Sequence, residues 1–348
     1  MTEEHKALKQ ATIALLGRAG IKSDFSLSPI AAGGNNQVFR IEIAGGPLLL
    51  KSYFRDAADM RDRGGNEYQF SNYVWNLGID CIPEPLAYDA ANGLGIYRFV
   101  EGIKLQTGEV RHSHLEQALE FFIRMNSAAL NSTFPPLQIA SEACFSLRDH
   151  LSVVERRIEN LRSGINPDGS LEDREAALLV DGKLSQIWTE AQQKLGEQAA
   201  RLGLEEDQQI PTSSRCISPS DFGFHNALVN QQGKVTFIDF EYAGWDDRAK
   251  MLGDFFCQPQ VSISLDYFDE MVARAIPEGP DRIREIARVA ALFPLFQVKW
   301  CCIMLNEFLE LGSKRRQFAG QVSRTERKRE QLGKVRDLLS QITYIEKV

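Results

Sequence analysis

The chain of 348 residues has no CxxC pair and no histidine and cysteine at metal-ligand spacing. Its six cysteines, at positions 81, 144, 216, 257, 301 and 302, are scattered, most of them among apolar neighbours. That pattern speaks against a disulfide framework or a structural zinc site and fits reduced, buried thiols. Long apolar runs are also lacking. The stretch from Val289 to Val298 is interrupted by Pro294 and Gln297 and preceded by Arg288, short of the roughly 20 residues that cross a bilayer. MTEEHKALKQ at the start is charged and has no apolar signal-peptide core. The expectations are a cytoplasmic location and no membrane partner. Positive charge is not in excess: 40 Lys and Arg against 47 Asp and Glu leave a net −7, which argues against nucleic acid as a partner. No repeat of fixed period appears.

What is present is ordinary globular composition, 43% hydrophobic and 25% charged, in a chain long enough for two lobes with a core each. Between Asp24 and Phe99 the pattern is mainly strand. FRIEIA (39–44) alternates apolar and polar, Gly45-Gly46-Pro47 turns the chain, and LLLKSYF returns as a partner strand. Phe70, Tyr73, Val74 and Leu77 then fall at helical spacing, with Gly78 as the stop. CIPEPLAYDAANGLGIYRFVEG suits edge strands around an Asn92-Gly93 turn. From about Lys104 long amphipathic helices dominate, interrupted only by one hairpin, and NPDGSLED (166–173) reads as a polar loop. FPLFQVKWCCIMLNEFLELG is apolar on nearly all sides and reads as a core helix. The expected fold is α+β and bilobal: residues 1–102 as a small antiparallel-sheet lobe, residues 103–348 as a larger helical lobe.

The interrupting hairpin carries the chemistry. In SDFGFHNALVNQQGKVTFIDFE (220–241), ALV and VTFI are short strands joined by Asn230-Gln-Gln-Gly233, a hairpin loop by length and composition. Its open end brings Asn226 and Asp239 together, with Asp221 five residues upstream of the asparagine. A carboxylate and an amide oxygen in a cleft are the hard ligands Mg²⁺ prefers, with phosphates and water completing the shell. A second carboxylate nearby can take a proton from an attacking hydroxyl. Asp and Asn alone would read as turn caps, but Asp239 ends an apolar strand, where a carboxylate without a partner is costly.

The D-x-x-x-x-N, hairpin, I-D arrangement resembles the catalytic and metal-binding loops of the protein kinase-like fold. With FEYAGWDDRAK following, it is similar to the aminoglycoside phosphotransferase and choline kinase branch, which phosphorylates small molecules. The resemblance implies an ATP- and Mg²⁺-dependent kinase with Asp221 as catalytic base and with Asn226 and Asp239 as magnesium ligands. It further implies Lys51 on the α and β phosphates, Glu67 paired with Lys51, and the Gly33-Gly34-Asn35 turn over the nucleotide. Backbone groups near Phe99, Val100 and Glu101 would hold adenine. Relatives carry a histidine two residues before the base, where this chain has Pro219, a departure that bears on the rigidity of the loop. His225 is given no catalytic role. The implied acceptor is a hydroxyl-bearing sugar, amino sugar, amino alcohol or aminoglycoside-like compound. The alternatives are a nucleotide-binding pseudokinase or scaffold, kept open by the missing histidine, and a protein kinase, disfavoured because no Ala-Pro-Glu activation segment is present.

Overall fold

The computed structural model describes residues 3–30, 36–56, 61–129, 137–310 and 323–345. Helix α1 (Glu3–Arg18) precedes a five-stranded antiparallel sheet of β1 (Ser26–Ile30), β2 (Gln37–Glu42), β3 (Leu48–Ser52), β4 (Pro85–Asp89) and β5 (Leu94–Arg98), ordered β1-β2-β3-β5-β4. The prolines do place β4 at an edge, but β5 lies inside the sheet between β3 and β4. Period-two alternation sets the faces. Ile41, Leu48, Leu50, Leu94 and Ile96 bury one face together with Leu15 and Leu16 of α1, while Lys51, paired with Val38 on one side and Gly95 on the other, belongs to the opposite face.

Helix α2 (Arg63–Asn76) starts where the Asp62 side chain accepts from the Gly65 N–H at 3.0 Å and is followed by Gly78 at φ +70°. Its Phe70 and Val74 join the larger core rather than the sheet's own. That core is built on α3 (His112–Ala129), α4 (Leu147–Gly164), α5 (Leu171–Leu179), α6 (Ser185–Leu202), α7 (Arg248–Cys257), α8 (Phe268–Ala275), α9 (Arg282–Leu305) and α10 (Arg324–Ser340). NPDGSLED is a loop only to Ser170, whose side chain and Asp173 form a capping box that starts α5. The helix α9 continues through Pro294. By length and composition Arg282–Phe308 could cross a membrane, contrary to the reading of its interruptions; 89% of its most apolar window is buried inside the protein, which makes it a core helix.

Strands β7 (Ala227–Val229) and β8 (Val235–Phe237) form the expected hairpin, with Gly233 at φ +79°. A second ribbon, absent from the sequence reading, pairs β6 (Arg215–Ser218) with β9 (Gly244–Asp247). The two ribbons frame the segments on which the chemistry was expected.

Candidate active site

Three separate elements meet at one ammonium. Lys51 on β3 lies 2.7 Å from Glu67 Oε2 on α2 and bonds Asp239 Oδ1 just beyond β8. The Tyr53 hydroxyl donates to the same Glu67 oxygen at 2.9 Å and meets Tyr97 at 2.8 Å, fixing the glutamate from behind. Burial works against charge on Lys51, but Asp239, Glu67 and Glu241 together hold its pKa well above the ordinary value. Asp239 itself sits at φ +71°, a conformation costly for a non-glycine residue.

The loop from β6 to β7 is pinned from both sides. Asn126 of α3 accepts from the Ile217 N–H at 2.8 Å and donates to its carbonyl at 3.1 Å. Phe222 and Phe224 turn inward, their rings 5.0 and 6.3 Å from Phe237. Between these anchors Ser220 and Asp221 adopt φ +49° and +38°. The Asp221 carboxylate receives His225 Nε2 at Oδ1 (3.1 Å) and Asn226 Nδ2 at Oδ2 (3.3 Å). Burial raises its pKa, but His225, Asn226 and the Lys299 charge outweigh that, so the carboxyl lies below its ordinary value and is ionised at neutral pH. Because Asn226 Nδ2 also donates to the Asp221 carbonyl at 3.1 Å, its amide nitrogen faces Asp221 and its oxygen faces away.

The donor set suits a divalent cation. Burial and the nearness of Asp239 raise the pKa values of Glu67 and Glu241, although Lys51 opposes the shift at each. Three carboxylates therefore crowd one lysine, with Arg63 at 3.5 Å from Glu241 as a second nearby cation. Among the described residues its negative charges outnumber the cations beside them, and its oxygen ligands are those a hard cation takes.

Phe99 and Val100 are half-buried at the end of β5, and the Glu101 carboxylate is engaged by Arg40 at 3.0 Å. The Phe99 N–H reaches the Pro47 carbonyl at 3.4 Å, while Val100 and Glu101 make no backbone hydrogen bond among the described residues. Gly33, Gly34 and Asn35 lie outside the described residues.

Several contributors were missed in the sequence. Asn66 Nδ2 donates to the carbonyls of Glu241 and Ala243 at 3.2 and 2.8 Å, and Arg63 reaches the Tyr242 hydroxyl at 2.5 Å. These contacts clamp α2 onto the segment after Asp239. Their partners lie about 175 residues away along the chain, so no local pattern betrays them. His225 has a signal in the sequence, its i, i+4 spacing from Asp221.

Residues 26–286 match the model of the phosphotransferase enzyme family, APH. Over nearly its whole length the chain is similar in fold to a choline/ethanolamine kinase family protein from Mesorhizobium loti, with 17% identity, 96% of this chain and 95% of that one covered, and a TM-score of 0.60. A choline kinase from Streptococcus pneumoniae is similar at 14% identity, 97% and 100% coverage and TM-score 0.57. A spectinomycin phosphotransferase solved with ADP and spectinomycin follows at 12% identity, 95% and 97% coverage and TM-score 0.56. A search of curated protein sequences finds no match. The fold is the bilobal protein kinase-like one, α+β as expected. The chain belongs to the APH phosphotransferase enzyme family and is, by family and fold, an enzyme of the small-molecule kinase type.

Proposed function

We propose that the protein transfers the γ-phosphoryl group of ATP, with Mg²⁺, to a hydroxyl of a small molecule. The observation that carries this reading is the convergence of Lys51, Glu67 and Asp239 at one point, joined through the Ile238 N–H on the Asn226 carbonyl (2.9 Å) to the loop on which Asp221 has its two oxygens held by His225 and Asn226.

Lys51, fixed by Glu67, presents a permanent positive charge to the nucleotide phosphates. Asp239 and the outward oxygen of Asn226 would hold Mg²⁺, which when bound neutralises phosphate charge. Asp221, ionised, accepts the proton of the acceptor hydroxyl as its oxygen attacks phosphorus, and ADP leaves. The backbone groups of Val100 and Glu101, which make no backbone hydrogen bond among the described residues, suit the adenine edge, and the role the resemblance implies for Gly33, Gly34 and Asn35 is contact with the phosphates. Most of the acceleration is positioning and charge placement. The division after residue 102 and a cytoplasmic location go with this reading.

For the acceptor, the similar structures are kinases of choline or ethanolamine type and a spectinomycin phosphotransferase. A sugar, amino sugar, amino alcohol or aminoglycoside-like compound is the class to test. The test is thermal stability with ATP and Mg²⁺ separately and together, on the wild type and Asp239→Ala. A shift that needs both and disappears in the variant supports the site; no shift and no direct nucleotide binding overturns it.

A further inference from the structure

We infer that His225 is a positioning residue for Asp221, an inference that rests on the kinase reading and assigns a further member of its machinery. His225 is 8% exposed, and among the described residues its imidazole makes one polar contact, Nε2 to Asp221 Oδ1 at 3.1 Å. Its Nδ1 is buried and has no hydrogen-bond partner among the described residues. An ionised carboxylate accepts, so Nε2 is the donor in this contact, and the ring has no second hydrogen bond among the described residues. A buried imidazole with one polar contact has its desolvation offset only through that contact; packing alone would be served better by an apolar ring.

The surroundings are shaped to keep that ring where it is. Trp300 meets it edge-on, with centroids 6.4 Å apart and planes at 87°. The Trp300 indole N–H is in turn tied to Asp254 Oδ1 at 3.0 Å, and the same carboxylate holds Lys299 at 2.6 Å. Opposite, a Cβ on Gly223 would stand 2.9 Å from His225 Nδ1, so the absent side chain there leaves room for the imidazole. Asp221 needs such a brace because its own backbone, at φ +38° after Ser220 at +49°, is in a region that non-glycine residues leave readily. His225 at Oδ1 and Asn226 at Oδ2 fix the carboxylate plane, and the remaining lone pairs are those offered to the acceptor hydroxyl.

Two measurements test this. In the ¹⁵N-labelled wild type at pH 8, long-range ¹H–¹⁵N correlation should show His225 as the Nε2–H tautomer, assigned by loss of its signals in His225→Gln, and this preference should vanish in Asp221→Ala. An Nδ1–H tautomer, or one indifferent to Asp221, overturns the inference without reference to activity. Phosphate release from ATP with Mg²⁺ is the second readout, with water as acceptor. His225→Ala and His225→Phe should each lose about tenfold to a hundredfold in kcat with the KM for ATP within about twofold. His225→Gln, which keeps a donor, should recover most of the loss. Unchanged kcat in His225→Ala, or a loss appearing equally in KM, overturns the inference. A wild type that neither binds nor hydrolyses ATP with Mg²⁺ brings down the kinase reading itself, and the tautomer still decides whether His225 braces Asp221.

Discussion

At the scale of single residues, the site is built from groups that stability alone would not choose. Asp239 has a positive φ and adds its charge to that of Glu67 and Glu241. Asp239→Ala should therefore leave stability within about 1 kcal/mol of the wild type, as measured by urea unfolding, because the lost Lys51 contact is offset by relief of repulsion. Arg288 is the reverse case. Its guanidinium donates to both oxygens of Asp247 at 2.6 and 2.7 Å, and Asp247 is fully buried. Arg288→Met leaves that carboxylate with His150 as its one remaining cationic contact among the described residues and should cost about 3–5 kcal/mol, with catalysis per folded molecule retained. Both carboxylates are visible in DFEYAGWDD, but only Asp239 ends an apolar run. What the sequence alone does not show is what makes Asp247 structural, since its partners Arg288 and His150 lie 41 and 97 residues away.

At the scale of elements, packing between α7 and α9 decides what each can tolerate. A Cβ on Gly253 of α7 would overlap the ring of Phe296 on α9. Ala gains about 1 kcal/mol in helix propensity over Gly, while overpacking costs about 1–3 kcal/mol, so Gly253→Ala should lower the melting temperature. The same burial explains why α9 runs through Pro294, which would break an exposed helix: the residues from Arg288 to Val298 are all buried. Elements with strong local periodicity are legible, among them α2, the run of long amphipathic helices after Lys104 and the β7–β8 hairpin. Helix α1 is hard to see in the sequence: Leu8, Leu15 and Leu16 share helical spacing, but they are diluted by the charged residues of MTEEHKALKQ. The β6–β9 ribbon was invisible, since two four-residue strands separated by 25 residues carry no signal until the hairpin between them is folded.

At the scale of the whole molecule, one buried network sets the response to pH. His150 bonds Asp247 at 2.9 Å. Burial opposes its charge, but the Cys144 sulfur and the Asp247 carboxylate overcome that and lift its pKa from 6.5 to about 9. A group whose folded pKa is raised contributes stability that is full below the unfolded value and is lost as pH climbs through the folded one. The urea midpoint should thus fall between about pH 6.5 and 9, and His150→Gln should flatten that dependence. Family, fold and the order of the loops were readable in the chain because D-x-x-x-x-N, hairpin and I-D lie within 20 residues. The clamp of Arg63 and Asn66 on the segment after Asp239 is a property of the assembled lobes. Metal-dependent phosphoryl transfer to a small alcohol is read by ³¹P NMR of the protein with ATP, Mg²⁺ and pooled sugars, amino sugars and amino alcohols. A new phosphomonoester signal is expected in the wild type and its loss in both Asp221→Asn and Asp239→Ala. A phosphomonoester that persists in either variant, or phosphate found only on protein, would contradict that transfer.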